Sequence, residues 1–420
     1  MSLEDFYFRD TCRMCLSRDL ERILELTPTP PGNDFVTKAE LNITQACYPL
    51  ELYFCKNCHH VQLGHVVKPE ILYQKDYSYV SSTSSHFLSH LRDYAKYIVD
   101  RFQLNKSDLV IDIGSNDGAC LKFFKELGMT VQGVDPAANI ADIAIAAGIP
   151  TIADFFSHSV AKNLLFEKGP AKIITSHNAC AHIDNLDSVI KGVKTLLDDD
   201  GVFILEVGYF YDVFTNIWFD TIYHEHVDFH TVEPFIALFK RHGMEVISVE
   251  RVSPQGGSIR VFVQKSPATI KHDDTVNELI KLEHDAGLND VSQLLNYQKR
   301  IDQVRDDLRV LIDNIKQDNK LIAGFGAPTK ATTLMAHFGI DGNDISFIVD
   351  DNPLKQNLFT PGTHIPVLSS EYIYKKKPDY LLILAWNFAE PIMKTHKRYL
   401  EEIGQFILPM PKPEIINSLN

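Results

Sequence analysis

The chain has 420 residues, of which 45% are hydrophobic and 23% charged, and its formal net charge is −14. At roughly 150 residues per domain the length fits two to three globular domains, and the composition excludes disorder, collagen and coiled coil as the main architecture. The acidic balance argues against a nucleic-acid binder, which needs a basic face, and no run approaches the ~20 apolar residues of a membrane span. The start, MSLEDFYFRDTC, is acidic and lacks a signal-peptide core. A cytoplasmic location is therefore expected, where paired cysteines point to metal rather than to disulfides.

Cys12 and Cys15 form one C-x-x-C, and Cys55 and Cys58 form another. Each pair sits on a tight turn that aims two thiolates at one point. Two such turns give the four sulfurs of a tetrahedral zinc site. Four sulfurs leave no position for water, so a structural zinc is expected. Accidental spacing of buried cysteines is the plain alternative, and His59 or His60 could replace one ligand. Cys47, Cys120 and Cys180 have no pair. Between the pairs, Leu26–Phe35 reads as a Pro-rich extended loop. A metal would supply the stability that so short a segment lacks, and the first domain is drawn as residues 1–75.

The central domain is drawn as residues 76–265, beginning with helical periodicity from His86 to Phe102. LVIDI (109–113) reads as a buried strand, GSNDG (114–118) as a small polar loop, and the next segment as an amphipathic helix. MTVQGVDP supplies a second strand ending in Asp135. A βαβ unit with a Gly-rich first turn and an acid closing the second strand suits adenosine: glycines admit the ligand to the backbone, and the acid accepts the ribose hydroxyls. The loop lacks G-x-G-x-x-G. S-adenosylmethionine (SAM) is thus the preferred cofactor, with NAD or none as alternatives. Asp112, Gly114, Ser115, Asn116, Gly118 and Asp135 are the candidate contacts. Asp154 ends the third strand and reads equally as an adenine partner or a helix N-cap.

A fourth strand, KIIT, leads into SHNACAH. Strand topology places His177, Asn178 and His182 at the ligand-binding edge of the sheet, although a single histidine is more often structural. Asn178 is included with the cofactor contacts. Strand 201–208 carries Glu206 at its mouth, and MEVISVERVSPQGGSIRVFVQ reads as an antiparallel strand pair that closes the sheet. Its Gly256-Gly257 fits either a turn or a pocket wall, and Arg260 is equally ambiguous. Before this pair, residues 218–235 hold Tyr223, His224, Glu225 and His226. H-E-H lacks the H-E-x-x-H spacing of a zinc hydrolase. General acid–base work suits the cluster better, with a solvated loop as the bland alternative.

The third domain is drawn as residues 266–420. A charged helix that packs by one stripe precedes a second α/β unit: strand 320–323, turn GFGAPTK, and a helix from Thr329. The turn is no ATP loop, because G-x-x-x-x-G-K-[ST] is absent. Its helix N-terminus and Lys330 would still suit a diphosphate. Asp350, Asn352, Lys355 and Gln356 follow on a strand-end loop, as nucleotide or sugar contacts or as capping and turn residues.

Four motifs in this order, C-R-M-C with C-K-N-C-H-H, I-G-S-N-D-G, Y-H-E-H, and G-F-G-A-P-T-K with V-D-D-N-P-L-K-Q, closely resemble the SAM-dependent sugar C-methyltransferases over nearly the whole chain. These methylate ring carbon 3, in some members carbon 5, of nucleotide-linked 4-keto-6-deoxyhexoses. The resemblance implies a zinc-binding domain, a class I SAM methyltransferase domain and a Rossmann-like C-terminal domain that helps hold the nucleotide-sugar, dTDP- or GDP-linked. Asp112 stands where a glutamate is frequent, which keeps the carboxylate. By motif match Tyr223, Glu225, His226, His182 and Tyr77 are the active-site residues. Tyr79, near Tyr77, and His224 join Lys330, Asp350, Asn352, Lys355 and Gln356 on the substrate side. The 4-ketone acidifies the neighbouring C–H. His226, oriented by Glu225, is the favoured base, and Tyr223, His182 or Tyr77 donates to the enolate oxygen. O-methylation, a nucleotide-sugar oxidoreductase and an inactive zinc-ribbon interaction protein are the other readings. No nucleic-acid or membrane partner is expected, and the chain is expected to be a monomer or homodimer.

Overall fold

The computed structural model describes residues 5–73 and 80–418. Three sheets carry the architecture. The central one has seven strands in the order 244–252, 258–265, 197–208, 171–177, 109–113, 130–134 and 151–152. The last five strands in that order are parallel, and the first two pair antiparallel. Leu109–Ile113 is buried at every position, as expected of a strand covered on both faces. Helices Ser85–Phe102, Ala119–Glu126 and Leu186–Leu196 cover it. This is the class I methyltransferase arrangement, and the antiparallel pair closes it as the sequence indicated.

The N-terminal sheet is antiparallel, in the order 228–229, 61–63, 48–55 and 20–29. Its edge strand, Asp228–Phe229, comes from the central part of the chain and pairs Asp228 with Gln62 and Phe229 with Val61. The C-terminal sheet has six strands in the order 367–368, 348–349, 322–325, 380–383, 405–408 and 414–416, parallel except for the last pair. The strand expected at 320–323 runs Ile322–Phe325, and the helix expected from Thr329 is Thr329–Phe338.

The charged helix is Val291–Gln317. Leu294, Tyr297, Ile301, Val304, Leu308, Ile312 and Ile315 are buried along one stripe, the spacing of a helix with one core-facing side. The stripe packs against strand Leu20–Thr29. One apolar cluster thus includes residues of the N-terminal sheet, this helix and the C-terminal sheet. Another includes Cys12, Cys55 and Cys58 together with the central sheet. Among the described residues no helix is long and apolar enough to cross a membrane.

Glu283, on helix Thr275–Asp285, is 2% exposed. It accepts hydrogen bonds from the Tyr209 hydroxyl at 2.8 Å and from the Val232 amide at 2.9 Å. Burial pushes its carboxyl up from 4.5 to about 7. The folded chain then holds a proton that the unfolded chain has lost, so stability falls as pH rises from about 4.5 to about 7. Glu283→Gln removes that titration. Its melting temperature is expected to vary less than the wild type's between these pH limits, the difference being ~3 kcal/mol at most. Parallel profiles would reject this account.

Candidate active site

Tyr223–His226 form a tight turn in which the His226 amide donates to the Tyr223 carbonyl at 2.9 Å. Such a turn brings its first and fourth side chains together. Tyr223 Oη lies 2.8 Å from His226 Nε2, and the ring centroids are 4.1 Å apart. His226 Nδ1 lies 2.9 Å from the Thr221 carbonyl oxygen. A carbonyl only accepts, so Nδ1 carries the proton, and Nε2 accepts from the Tyr223 hydroxyl. Burial pushes the His226 imidazole down to about 4, partly offset by the Thr221 carbonyl. It is a neutral acceptor at physiological pH.

The His182 ring meets His226 edge-on with centroids 4.9 Å apart. Burial, and then His226, push it down to about 3. The Val227 peptide explains this approach. Its amide donates to the Ala181 carbonyl at 2.8 Å, beside His182, and its carbonyl accepts from Leu63 of the N-terminal sheet at 2.9 Å. Tyr77 and Tyr79 lie outside the described residues.

The two residues between Tyr223 and His226 point elsewhere. His224 is 1% exposed, with Nε2 3.1 Å from the Tyr48 carbonyl and its ring edge-on to Tyr48. It packs against Tyr48 of the N-terminal sheet. Glu225 does not orient His226. Its Oε1 accepts from Asn33 Nδ2 at 3.1 Å. Burial pushes its carboxyl up to about 7, against the opposing pull of Asn33 and Lys355.

Asn33 was hidden in the Pro-rich loop, where P-G-N signals only a turn. Its Oδ1 accepts from Thr329 Oγ1 at 2.8 Å, and the Gly32 carbonyl accepts from Thr332 at 3.2 Å. A Cβ on Gly32 would stand 2.5 Å from Thr329 Cγ2. The loop therefore covers the start of helix Thr329–Phe338, where the sequence suggested an open diphosphate site. Lys330 is not open either. Its Nζ lies 3.4 Å from the centre of the Trp386 ring, and Trp386 donates to buried Asp220 at 2.7 Å. Burial lowers the lysine's pKa.

The loop after the neighbouring strand takes the capping alternative. Asp350 accepts from the Ala327 amide at 2.7 Å and the Asn352 amide at 2.8 Å. Asn352 accepts from the Leu354 amide at 3.0 Å, and Gln356 donates to the Asp350 carbonyl at 2.9 Å. Lys355 donates to the Ala327 carbonyl at 2.8 Å.

The cofactor loop has the shape a SAM site needs. Gly114 and Gly118 have φ of 72° and 77°, and a Cβ on Gly114 would stand 2.5 Å from that of Ala179. Asp135 accepts from the Asn116 amide at 2.8 Å and the Ala137 amide at 2.9 Å, which holds it at the strand mouth. Asp112 Oδ1 and Ser115 Oγ are buried without a partner among the described residues, the condition of groups that await a ligand. Burial, then Asp135, raise the Asp112 pKa. Ser81 and Ser82 donate to Asn116 and Asp117 at 2.9 and 3.1 Å. Asn178 takes φ 55° as the fourth strand ends, and its amide donates to the Glu206 carbonyl at 2.7 Å. Exposed Asp154 is not the helix cap: Ser157 caps His158–Lys168.

Glu206 is a structural hub. It lies 2.6 Å from His90 Nε2 and accepts from Arg260 at 3.0 Å. Burial pushes its carboxyl up, but His90, His177 and Arg260 outweigh that and hold it at about 2. This settles Arg260 as an ion-pair partner. Gly256 and Gly257 form a turn against Trp218 and Asp212, with a Cβ on Gly257 only 2.1 Å from Asp212 Oδ2.

The four cysteine sulfurs all lie within 4.8 Å of one another, with Cys12–Cys58 and Cys15–Cys55 each at 3.5 Å. Sulfurs packed this closely without disulfides fit a four-thiolate zinc. His59 and His60 turn to Glu233 and Asp228 at 2.8 and 2.7 Å instead of the sulfurs. Wild-type protein is expected to carry one zinc per chain in this cluster by metal analysis. Cys55→Ser with Cys58→Ser should lose that zinc and several kcal/mol of stability. Full zinc retention would refute the assignment.

Three family models match in series: a zinc binding domain over residues 12–73, a methyltransferase domain over 78–249, and a C-methyltransferase C-terminal domain over 253–411. The C-methyltransferase NovU of Streptomyces niveus is 34% identical over 411 residues, which span 97% of each chain. Among solved structures, a SAM-dependent methyltransferase from Clostridium acetobutylicum is 15% identical, with 42% of this chain and 92% of that one aligned and a TM-score of 0.34. The magnesium protoporphyrin IX methyltransferase of Synechocystis, with bound SAH, is 13% identical over 43% of this chain and 84% of its own, with a TM-score of 0.34. Identity sustained over nearly the full length of NovU decides the matter: this chain belongs to the SAM-dependent C-methyltransferases.

Proposed function

We propose that the chain methylates carbon 3 of a nucleotide-diphosphate-linked 4-keto-6-deoxyhexose, with the sugar held between parts of the chain drawn at residues 1–75, 76–265 and 266–420. Methylation at carbon needs a carbon nucleophile, and a C–H beside a ketone is the accessible source in a sugar. The observation that carries this reading is the Tyr223–His226 hydrogen bond at 2.8 Å, with the tautomer fixed by Thr221. The four-motif resemblance supports the sugar.

SAM, when bound, supplies an electrophilic methyl group. Asp112, Gly114, Ser115, Asn116, Gly118, Asp135, Asp154 and Asn178 would hold it. The chain's own residues make the nucleophile. Tyr223 oxygen takes the carbon 3 proton as its own proton passes to His226 Nε2, so the neutral imidazole is the final base. His182 serves the developing enolate oxygen. Glu225, as a carboxylate, accepts from a sugar hydroxyl, and the nearby Lys355 charge favours that ionised form. The buried setting suits this chemistry, because neutral imidazoles replace water around the enolate.

The test incubates purified enzyme with SAM and the dTDP- or GDP-linked 4-keto-6-deoxyhexose and locates the new methyl group by NMR. A methyl on carbon 3 is expected. One on carbon 5 or on oxygen, or no transfer from either nucleotide form, rejects the proposal. Without SAM in D2O, wild type should exchange the carbon 3 proton, and Tyr223→Phe and His226→Gln should each slow exchange by about 10²–10⁴-fold.

The pH arm concerns Glu225. If its ionised form is required, kcat/KM falls as pH drops through about 7. Asn33→Ala removes a donor to the carboxylate, raises that pKa further and is expected to move the acid limb to higher pH. An unmoved limb would remove Glu225 from this role.

A further inference from the structure

Away from the candidate active site, three separate stretches of chain bring metal-ligating atoms to one point. His59 Nδ1 lies 2.8 Å from Glu233 Oε2, and His284 Nε2 lies 2.9 Å from the same oxygen. The three ligand atoms are all within 4.8 Å of one another, and the two imidazoles meet edge-on with centroids 6.0 Å apart. His59 follows the second cysteine pair, Glu233 lies in the first turn of helix Val232–Arg241, and His284 lies in the last turn of helix Thr275–Asp285.

The site is partly pre-formed. The His59 amide donates to the Cys55 carbonyl at 2.8 Å, and the residue sits at φ 63°. Its ring stacks on Phe54 at 5.7 Å with an interplanar angle of 7°. The Glu233 and His284 side chains are 33% and 37% exposed, so an ion can reach them and keep water in its remaining positions.

Two imidazoles and one carboxylate suit zinc, nickel or copper rather than magnesium or calcium. Tetrahedral zinc with bonds of ~2.0–2.1 Å has ligand–ligand edges of about 3.3 Å. Two edges of the cluster would then lengthen by about 0.5 Å, within reach of the exposed Glu233 and His284 side chains. We propose that His59, Glu233 and His284 form a second, exchangeable site for a divalent transition-metal ion, which clasps the cysteine-bearing segment to the two helices. Unlike the four-sulfur cluster it leaves positions for water, so it binds its ion less tightly.

The test uses the full chain, dialysed against a weak chelator until one zinc per chain remains, then titrated calorimetrically with Zn²⁺ and separately with Ni²⁺. One further equivalent is expected. His284→Gln and Glu233→Gln, which keep polar groups at half-exposed positions, should weaken that step by more than the ~10–100-fold that loss of an outer supporting partner costs. Both should retain the first zinc. Added Zn²⁺ should also raise the melting temperature of wild type and not of His284→Gln. No second equivalent in wild type, or uptake of equal strength by both variants, overturns the proposal.

Discussion

Strand Asp228–Phe229 completes the N-terminal antiparallel sheet and, in the same stretch of chain, directly follows the turn that carries Tyr223 and His226. Its ladder to residues 61–63, extended by the Leu63–Val227 hydrogen bond, is the constraint on which the candidate site depends. Ladder hydrogen bonds set register, and a slip of one residue would turn every side chain to the other face. Through Val227 and Ala181 the same backbone run brings His182 to the edge of His226. The cysteine cluster stands on the turns that flank this sheet, apart from Tyr223 and His226.

The second consequence of docking is electrostatic. With a net charge of −14, an anionic substrate would be expected to rely on local cations. The obvious ones are engaged inside the protein: Lys330 on Trp386, Lys355 on the Ala327 carbonyl, and Arg260 on Glu206. The residues around Tyr223 and His226 are buried and carry little charge. The histidines are held uncharged by burial, and Glu225 is poised near 7 between burial and its partners Asn33 and Lys355. Such a setting favours proton transfer over tight charge pairing.

Much of this was legible in the chain. LVIDI followed by GSNDG announced a buried strand and a ligand loop, because apolar runs and small residues obey local rules. The C-x-x-C pairs were legible for the same reason, since each is a self-contained turn. Tyr223 and His226 could be picked out together by their chemistry. Asn33 and Thr221 could not. One reads as turn chemistry and the other acts through its backbone carbonyl, which any residue possesses. The assignment of Glu225 to orient His226 failed because neighbours on a turn diverge, and the turn pairs its first and fourth residues instead. The interior partners of His224, Lys330 and the Asp350 loop were not legible for a related reason: chemical type says what a side chain can bind, but not which interior partner will claim it.

By itself, then, the sequence determined the strand and helix grammar, the four-cysteine set and the cofactor loop, and it singled out the Tyr223–His226 cluster as a candidate site, all of which rest on spacing within a few tens of residues. Only the tertiary structure decided that a strand from the central segment completes the N-terminal sheet, that Asn33 links Glu225 to Thr329, and that the helix start expected to hold a diphosphate lies beneath a loop. These are contacts between residues up to hundreds of positions apart. They follow from how apolar faces and backbone ladders close around one another, which local pattern does not encode.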